Sequence, residues 1–307
     1  MSFRHADILS AAQFSRAQIE QWFARADDLA ARLARGERLR TLDGKMLATV
    51  FYEPSIRTRL AFEAAMQRLG GGVLSLADAK TATAISGEPL PDVIRAVAHL
   101  ADVIVLRHPD AGAACVAANA SAAPIINAGD GTGEHPTQAL LDLYTLRAER
   151  QTLDGLHVAL VGDLKHSPAV HSFARTLSEF QVEFSFVTPA ALAMPTAITD
   201  DLRERGFSVE ETNDLARSLQ TADVVYMTRV CKERFSDLKQ YEKLKDFYLL
   251  TRALIEKAKP GLSVLHPLPR ANEIAAEVDA LPNAAYFRQV KNGVVIRMTL
   301  LADILAD

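Results

Sequence analysis

Ser55, Arg57, Thr58 and Arg59 stand where an apolar run, Met46 to Phe51, gives way to the polar turn Tyr52-Glu53-Pro54 and then to a helical pattern through Glu63. Such a junction suits an oxyanion. Hydroxyls and backbone N–H groups converge at a helix N-terminus, the helix dipole adds positive potential there, and a guanidinium such as Arg57 can grip two phosphate oxygens at once. The segment has neither a Walker lysine nor a glycine-rich loop, so it would be a phosphate cradle of another kind. The competing reading makes Ser55 a plain helix cap and the two arginines solvated charges.

A cradle of this kind needs a sheet behind it, and the rest of the chain supplies one. Ser15 to Leu33 repeats apolar residues at helical spacing behind a capping-box-like Ser15 and Gln18. Strands are expected at Met46 to Phe51, Val73 to Leu76, Asp102 to Leu106 and Pro124 to Asn127, with helices to about Leu69, over Val93 to Leu100 and over Ala111 to Ala120. Ala77 to Pro91 is polar, fits neither pattern and reads as a mobile loop. A helix opens at Pro136 and runs to about Leu146. A second unit follows, with strands at His157 to Gly162, Gln181 to Val187, Phe207 to Glu210, Val224 to Met227 and Leu262 to Leu265. Between them lie helices from about Ala169, near Asp201 and around Leu215, and the last apolar periodic run, Val294 to Leu305, is expected to pack back on the first domain.

Alternating strands and helices imply parallel sheets covered on both faces, with ligands beyond the carboxyl ends of the strands. Ser55, Arg57, Arg107 and the run Asn127-Ala128-Gly129 all follow strand ends, so the sheet would bring them together. The fold class is α/β, with two doubly wound parallel-sheet domains and a C-terminal helix returning to the first. The turn Gly129-Asp130-Gly131-Thr132-Gly133 leads into Glu134-His135-Pro136 and lacks the G-x-G-x-x-G spacing of a dinucleotide loop, so no cofactor is expected.

Composition sets the outer limits. The chain has 307 residues, 49% hydrophobic and 23% charged, which fits about two domains of roughly 150 residues. Its 34 basic and 38 acidic residues give a net charge of −4 without a basic block, which argues against nucleic acid as a partner. Cys115 and Cys231 are too few and too isolated for a disulfide framework or a metal site. The start lacks an apolar signal core and no apolar run approaches the ~18 residues of a membrane span, so a cytoplasmic protein without a membrane partner is expected.

Five separated segments resemble one family. Glu53 to Glu63, Arg107-His108-Pro109, Asn127 to Leu143, Tyr226 to Arg229 with Lys232-Glu233-Arg234, and His266-Pro267-Leu268-Pro269-Arg270 are similar to signatures of the aspartate and ornithine carbamoyltransferases. The runs His135 to Leu143 and Tyr226 to Arg229 resemble the aspartate branch of pyrimidine biosynthesis. The resemblance implies a carbamoyl-phosphate domain at about residues 1–135, an acceptor domain at about 136–288 and a C-terminal helix, 289–307. It also implies a homotrimer, open to larger assembly with a regulatory or pathway chain, and amine attack on carbamoyl phosphate without metal or covalent intermediate.

By the same resemblance Ser55, Arg57 and Thr58 would hold the phosphate, and Thr58, Arg107 and His135 would face the carbonyl oxygen as negative charge grows on it. Gln138 would bind the carbamoyl amide, Arg229 an acceptor carboxylate, and the Pro267 and Leu268 carbonyls the acceptor amine. The alternatives are a structural histidine at His135, a structural ion pair at Arg229 and a small buried thiol at Cys231; His166 and His171 read as packing or surface residues.

Four positions depart from the family pattern. Ile56 replaces a hydroxyl, Ser86 stands where a loop lysine is usual with Lys80 displaced from it, Pro168 replaces an acceptor-binding arginine, and Cys231 replaces a glutamine. Glu53 would then need a partner other than position 168, and Arg234 is the candidate. A lost charged hydrogen bond to a carboxylate is worth roughly 1.5 to 3 kcal/mol. Three readings stay open: an aspartate carbamoyltransferase with compensating changes, a carbamoyltransferase for another amine, and a weakly active or inactive binding or assembly homologue.

Overall fold

The computed structural model describes residues 3–76, 78–79, 83, 87–232, 235 and 237–306. The chain forms two compact units, Met1–Leu141 with Val290–Asp307, and Asp142–Gln289. Among the described residues no helix is long and apolar enough to cross a membrane.

The first unit is a four-stranded parallel sheet in the order β2-β1-β3-β4, with β1 at Met46–Phe51, β2 at Gly72–Leu76, β3 at Val103–His108 and β4 at Ile125–Asp130. Apolar runs such as Met46–Phe51 become strands because both faces are covered. Ala48, Val50, Ile104, Leu106 and Ile125 form one core layer with Ile94 and Ala117, while Leu47, Val103 and Val105 are buried as well. The strand order reverses between β1 and β3, the kind of position beyond which open parallel sheets commonly bind ligands.

Helix α1 (Arg16–Ala34) is capped by Ser15, whose hydroxyl accepts from Gln18 N–H. The reciprocal capping box, however, sits one turn earlier, between Ser10 and Gln13. Helix α2 (Ile56–Arg68) follows β1 directly. Helix α3 (Leu90–Ala98) begins inside the stretch expected to be irregular, and α4 (Ala113–Ala120) crosses from β3 to β4. Lys80 and Ser86 lie outside the described residues.

The second unit is a five-stranded parallel sheet, order β7-β6-β5-β8-β9: β5 Leu156–Val161, β6 Val182–Val187, β7 Val209–Thr212, β8 Val224–Met227 and β9 Ser263–Leu265. Its reversal lies between β5 and β8. Ala159, Val161, Val225, Met227 and Val264 anchor the core on one face, and Phe173 stacks on Tyr226 at 4.6 Å.

Two helices outrun their apolar pattern. Helix α5 (Pro136–Arg150) continues past Leu146 because Arg150 is anchored to Asp223 at 2.8 Å. Helix α6 is Pro168–Leu177, α7 Thr196–Glu204, α8 Leu215–Leu219, α9 Leu238–Leu244 and α10 Arg252–Glu256. Helix α11 (Tyr286–Leu305) starts well before Val294. Polar contacts hold that first part, with Arg288 on both oxygens of Glu149 at 2.6 and 2.7 Å and Gln289 buried. From Val290 onward the helix belongs to the first unit, where Trp22 Nε1–H donates to Asp303 at 2.9 Å.

Candidate active site

Ser55 occupies the N-cap position of α2, yet its side chain makes no cap hydrogen bond. Its capping role is thus not taken up, and the first-turn N–H groups of Ile56, Arg57 and Thr58 lack a side-chain acceptor from it. Thr58 is buried, Arg57 is half-buried, and Ile56 is 70% exposed at the first helical position. The alkyl group of Ile56 therefore points to solvent and leaves only its backbone for the cradle.

Arg107 pairs across the strands with Phe51, which places it at the β1–β3 reversal. Its guanidinium donates to the Ala128 carbonyl at 3.0 Å and pairs with Glu53 at 3.3 Å. Glu53 thus has a partner inside the first unit, one that neither position 168 nor Arg234 supplies; Arg234 itself lies outside the described residues. Gly129 makes room for this arrangement, since a Cβ there would lie 2.0 Å from an Arg107 nitrogen and its φ of +112° disfavours other residues. Gly131 is committed in the same way, with Pro109 O at 2.1 Å from its missing Cβ. The glycine-rich turn is used for packing: Asp130 accepts from Gly112 and Glu134 N–H at 2.9 and 2.7 Å.

His135 directly precedes α5, and its carbonyl accepts from Gln138 and Ala139 N–H. Its side chain is buried, and so is that of Gln138. Burial first, then the charges of Arg107 and Arg297, push its imidazole well below the ordinary value of 6.5. A neutral ring there can donate a hydrogen bond to a growing oxyanion without first being protonated. Arg297 is a further buried charge, with its guanidinium 4.9 Å from the Phe62 ring and donating to Gly293 O at 3.0 Å. The sequence signal for it is a lone arginine inside the apolar run Val294 to Leu305.

In the second unit, Arg229 follows β8 while Pro267 and Leu268 follow β9, its parallel neighbour. Pro168 begins α6 after β5, on the other side of β8. Arg229, Cys231, Pro267 and Leu268 are half-buried. Leu268 has a φ of 51°, unusual for a residue with a side chain. His171 is buried and donates from Nε2 to the Leu164 carbonyl at 2.8 Å, while His166 lies 3.1 Å from Asp163.

Residues 6–148 match the family model of the carbamoyl-phosphate-binding domain of aspartate/ornithine carbamoyltransferase, and residues 154–304 match its Asp/Orn-binding domain. The chain belongs to the aspartate/ornithine carbamoyltransferase family. Among the relatives of this carbamoyltransferase, the aspartate carbamoyltransferase catalytic subunit of Methanopyrus kandleri is 47% identical over 99% of this chain and 98% of its own. A crystal structure of aspartate transcarbamoylase from Trypanosoma cruzi in complex with carbamoyl phosphate and aspartate superposes with a TM-score of 0.95, at 38% identity and 99% and 98% coverage. The catalytic subunit of M. Jannaschii aspartate transcarbamoylase has a TM-score of 0.89 at 45% identity, covering 96% of each chain. The doubt that Pro168 and Cys231 raise about enzymatic activity is not borne out, since the match to the Asp/Orn-binding domain and to aspartate carbamoyltransferase relatives runs through this region.

Proposed function

We propose that this enzyme transfers the carbamoyl group of carbamoyl phosphate to the amino group of L-aspartate, giving N-carbamoyl-aspartate and phosphate for pyrimidine synthesis. The observation that carries the reading is the pairing of a fixed cation with a neutral buried imidazole: Arg107 held by Glu53 and Ala128 O, and His135 kept uncharged beside it. Two such donors suit a carbonyl oxygen that gains charge in the transition state.

The amine attacks the carbonyl carbon, a C–N bond forms, and the tetrahedral intermediate collapses by breaking the C–O bond to phosphate. The departing phosphate takes the amine proton. Ser55, Arg57 and Thr58 hold the phosphate, Thr58, Arg107 and His135 the oxyanion, and Gln138 the carbamoyl amide. Arg229 takes an acceptor carboxylate and the Pro267–Leu268 backbone the amine. The first sheet, about residues 1–135, is thus the carbamoyl-phosphate domain and about 136–288 the acceptor domain. Family membership supports a homotrimer working in the cytoplasm, which sedimentation of the purified protein and fractionation of cells test.

The experiment is phosphate release from carbamoyl phosphate by the purified protein, with L-aspartate, with a panel of other amines, and with none. Release dependent on aspartate is expected. Release only with another amine reassigns the acceptor, and silence across the panel overturns the catalytic reading.

A further inference from the structure

The loop that follows β9 is held from beneath by a chain of buried polar side chains. His266 Nδ1 accepts from Leu268 N–H at 2.7 Å, and His266 Nε2 lies 2.6 Å from a Glu273 oxygen. His266 N–H donates to Gln289 Oε1 at 2.9 Å, Gln289 Nε2 donates to Asp142 at 2.6 Å, and Tyr226 O–H donates to the other Asp142 oxygen at 2.7 Å. Tyr226, Asp142, Gln289, His266 and Glu273 are all buried.

Each hydrogen in this chain has one possible place. Leu268 N–H can only donate, so Nδ1 carries no proton; Glu273 is a carboxylate acceptor, so the ring proton sits on Nε2. Likewise His266 N–H fixes the face of the Gln289 amide, and that fixes its NH2 on Asp142. Tyr226 lies in β8, three residues before Arg229.

Leu268 needs such support. Its φ of 51° is a conformation that a leucine rarely adopts, and it persists only when the surroundings over-determine it. We infer that His266 is a positioning residue for the acceptor: locked as the Nε2–H tautomer between Leu268 N–H and Glu273, it fixes the Pro267–Leu268 backbone. This rests on the proposed reading that this backbone meets the acceptor amine.

The test compares His266→Asn with His266→Gln in steady-state kinetics with carbamoyl phosphate and L-aspartate. The Asn carboxamide oxygen can replace Nδ1 as acceptor for Leu268 N–H and loses Glu273; the Gln amide can replace Nε2 and loses Leu268. The expected result is a rise of about tenfold in aspartate KM for His266→Gln and about threefold or less for His266→Asn, with the carbamoyl phosphate KM unmoved. Any other pattern, including equal rises in both variants or a matching rise for carbamoyl phosphate, overturns the inference. Wild-type protein without aspartate-dependent turnover instead overturns the functional reading, and the inference falls with it. Should both variants fail to fold, histidine-selective 15N spectra of the wild-type protein decide: an Nε2–H tautomer for His266 supports the lock, and an Nδ1–H tautomer or an imidazolium overturns it.

Discussion

In the first unit the strand order reverses between β1 and β3, in the second between β5 and β8, and each candidate face sits beyond such a reversal. What projects there differs. The first face is made of charged side chains held by other groups, with Arg107 clamped by Glu53 and Ala128 O and His135 neutralised by burial and two guanidinium groups. The second presents Arg229 and a stretch of backbone, and its rigidity comes from hydrogen bonds in which every proton has a defined place. Where charge must be stabilised as it develops, fixed donors act most strongly; where a substrate must be recognised, a fixed backbone suffices. On the proposed reading one topology supports both tasks, and each can be broken separately.

The largest effect is expected from the first face. Arg107→Ala should lower kcat by about two to three orders of magnitude or more, read as phosphate release, because a single oxyanion donor is commonly worth that much. Gly129→Ala comes next: the added methyl would strike the Arg107 guanidinium and the φ of +112° would be strained. We expect a kcat loss of about tenfold to a hundredfold and a stability loss of about 1 to 3 kcal/mol, measured by rates and by chemical denaturation.

For the second face, Tyr226→Phe removes one of the donors to the buried Asp142 carboxylate. Denaturation should show a loss of about 1 to 3 kcal/mol, with kcat little changed.

The His135 ring gives a pH test with a definite sign. Its folded value lies well below 6.5, the unfolded one near it. Above pH 6.5 neither state binds the proton; below it the unfolded chain does and the folded protein does not. Stability from this group is therefore full above about pH 6.5 and declines on acidification by up to about 1.4 kcal/mol per pH unit. His135→Gln should flatten that limb relative to wild type. The smallest effect belongs to Ile56→Thr: at an exposed first-turn position it should change stability by no more than about 0.5 kcal/mol.

Much of this was legible from local pattern. The bounds of β1 and β8 follow from apolar runs, and Ser55, Arg107, His135 and Arg229 stand at the ends of elements that periodicity reveals. What stayed hidden depends on contacts between distant parts of the chain. The start of α11 sets Tyr286, Phe287 and Val290 among Arg288, Gln289, Lys291 and Asn292, so its apolar signal is thin; burial of Tyr286 and pairing of Arg288 with Glu149 hold it. Glu53 pairs with Arg107 across 54 positions of chain (107 − 53), and Asp142 meets Gln289 across 147, which no motif spacing encodes. Spacing alone rules out a dinucleotide loop at Gly129 to Gly133, but the neighbours that require glycine at 129 and 131 are set by tertiary packing and have no motif.

Division of labour between the two faces is tested most directly by titrating wild-type, Arg107→Ala and Arg229→Ala proteins calorimetrically with carbamoyl phosphate in the absence of acceptor. Binding should be lost or weakened by about two orders of magnitude in Arg107→Ala and stay within about twofold of wild type in Arg229→Ala. Equal weakening in both variants, or unchanged binding in Arg107→Ala, would contradict it.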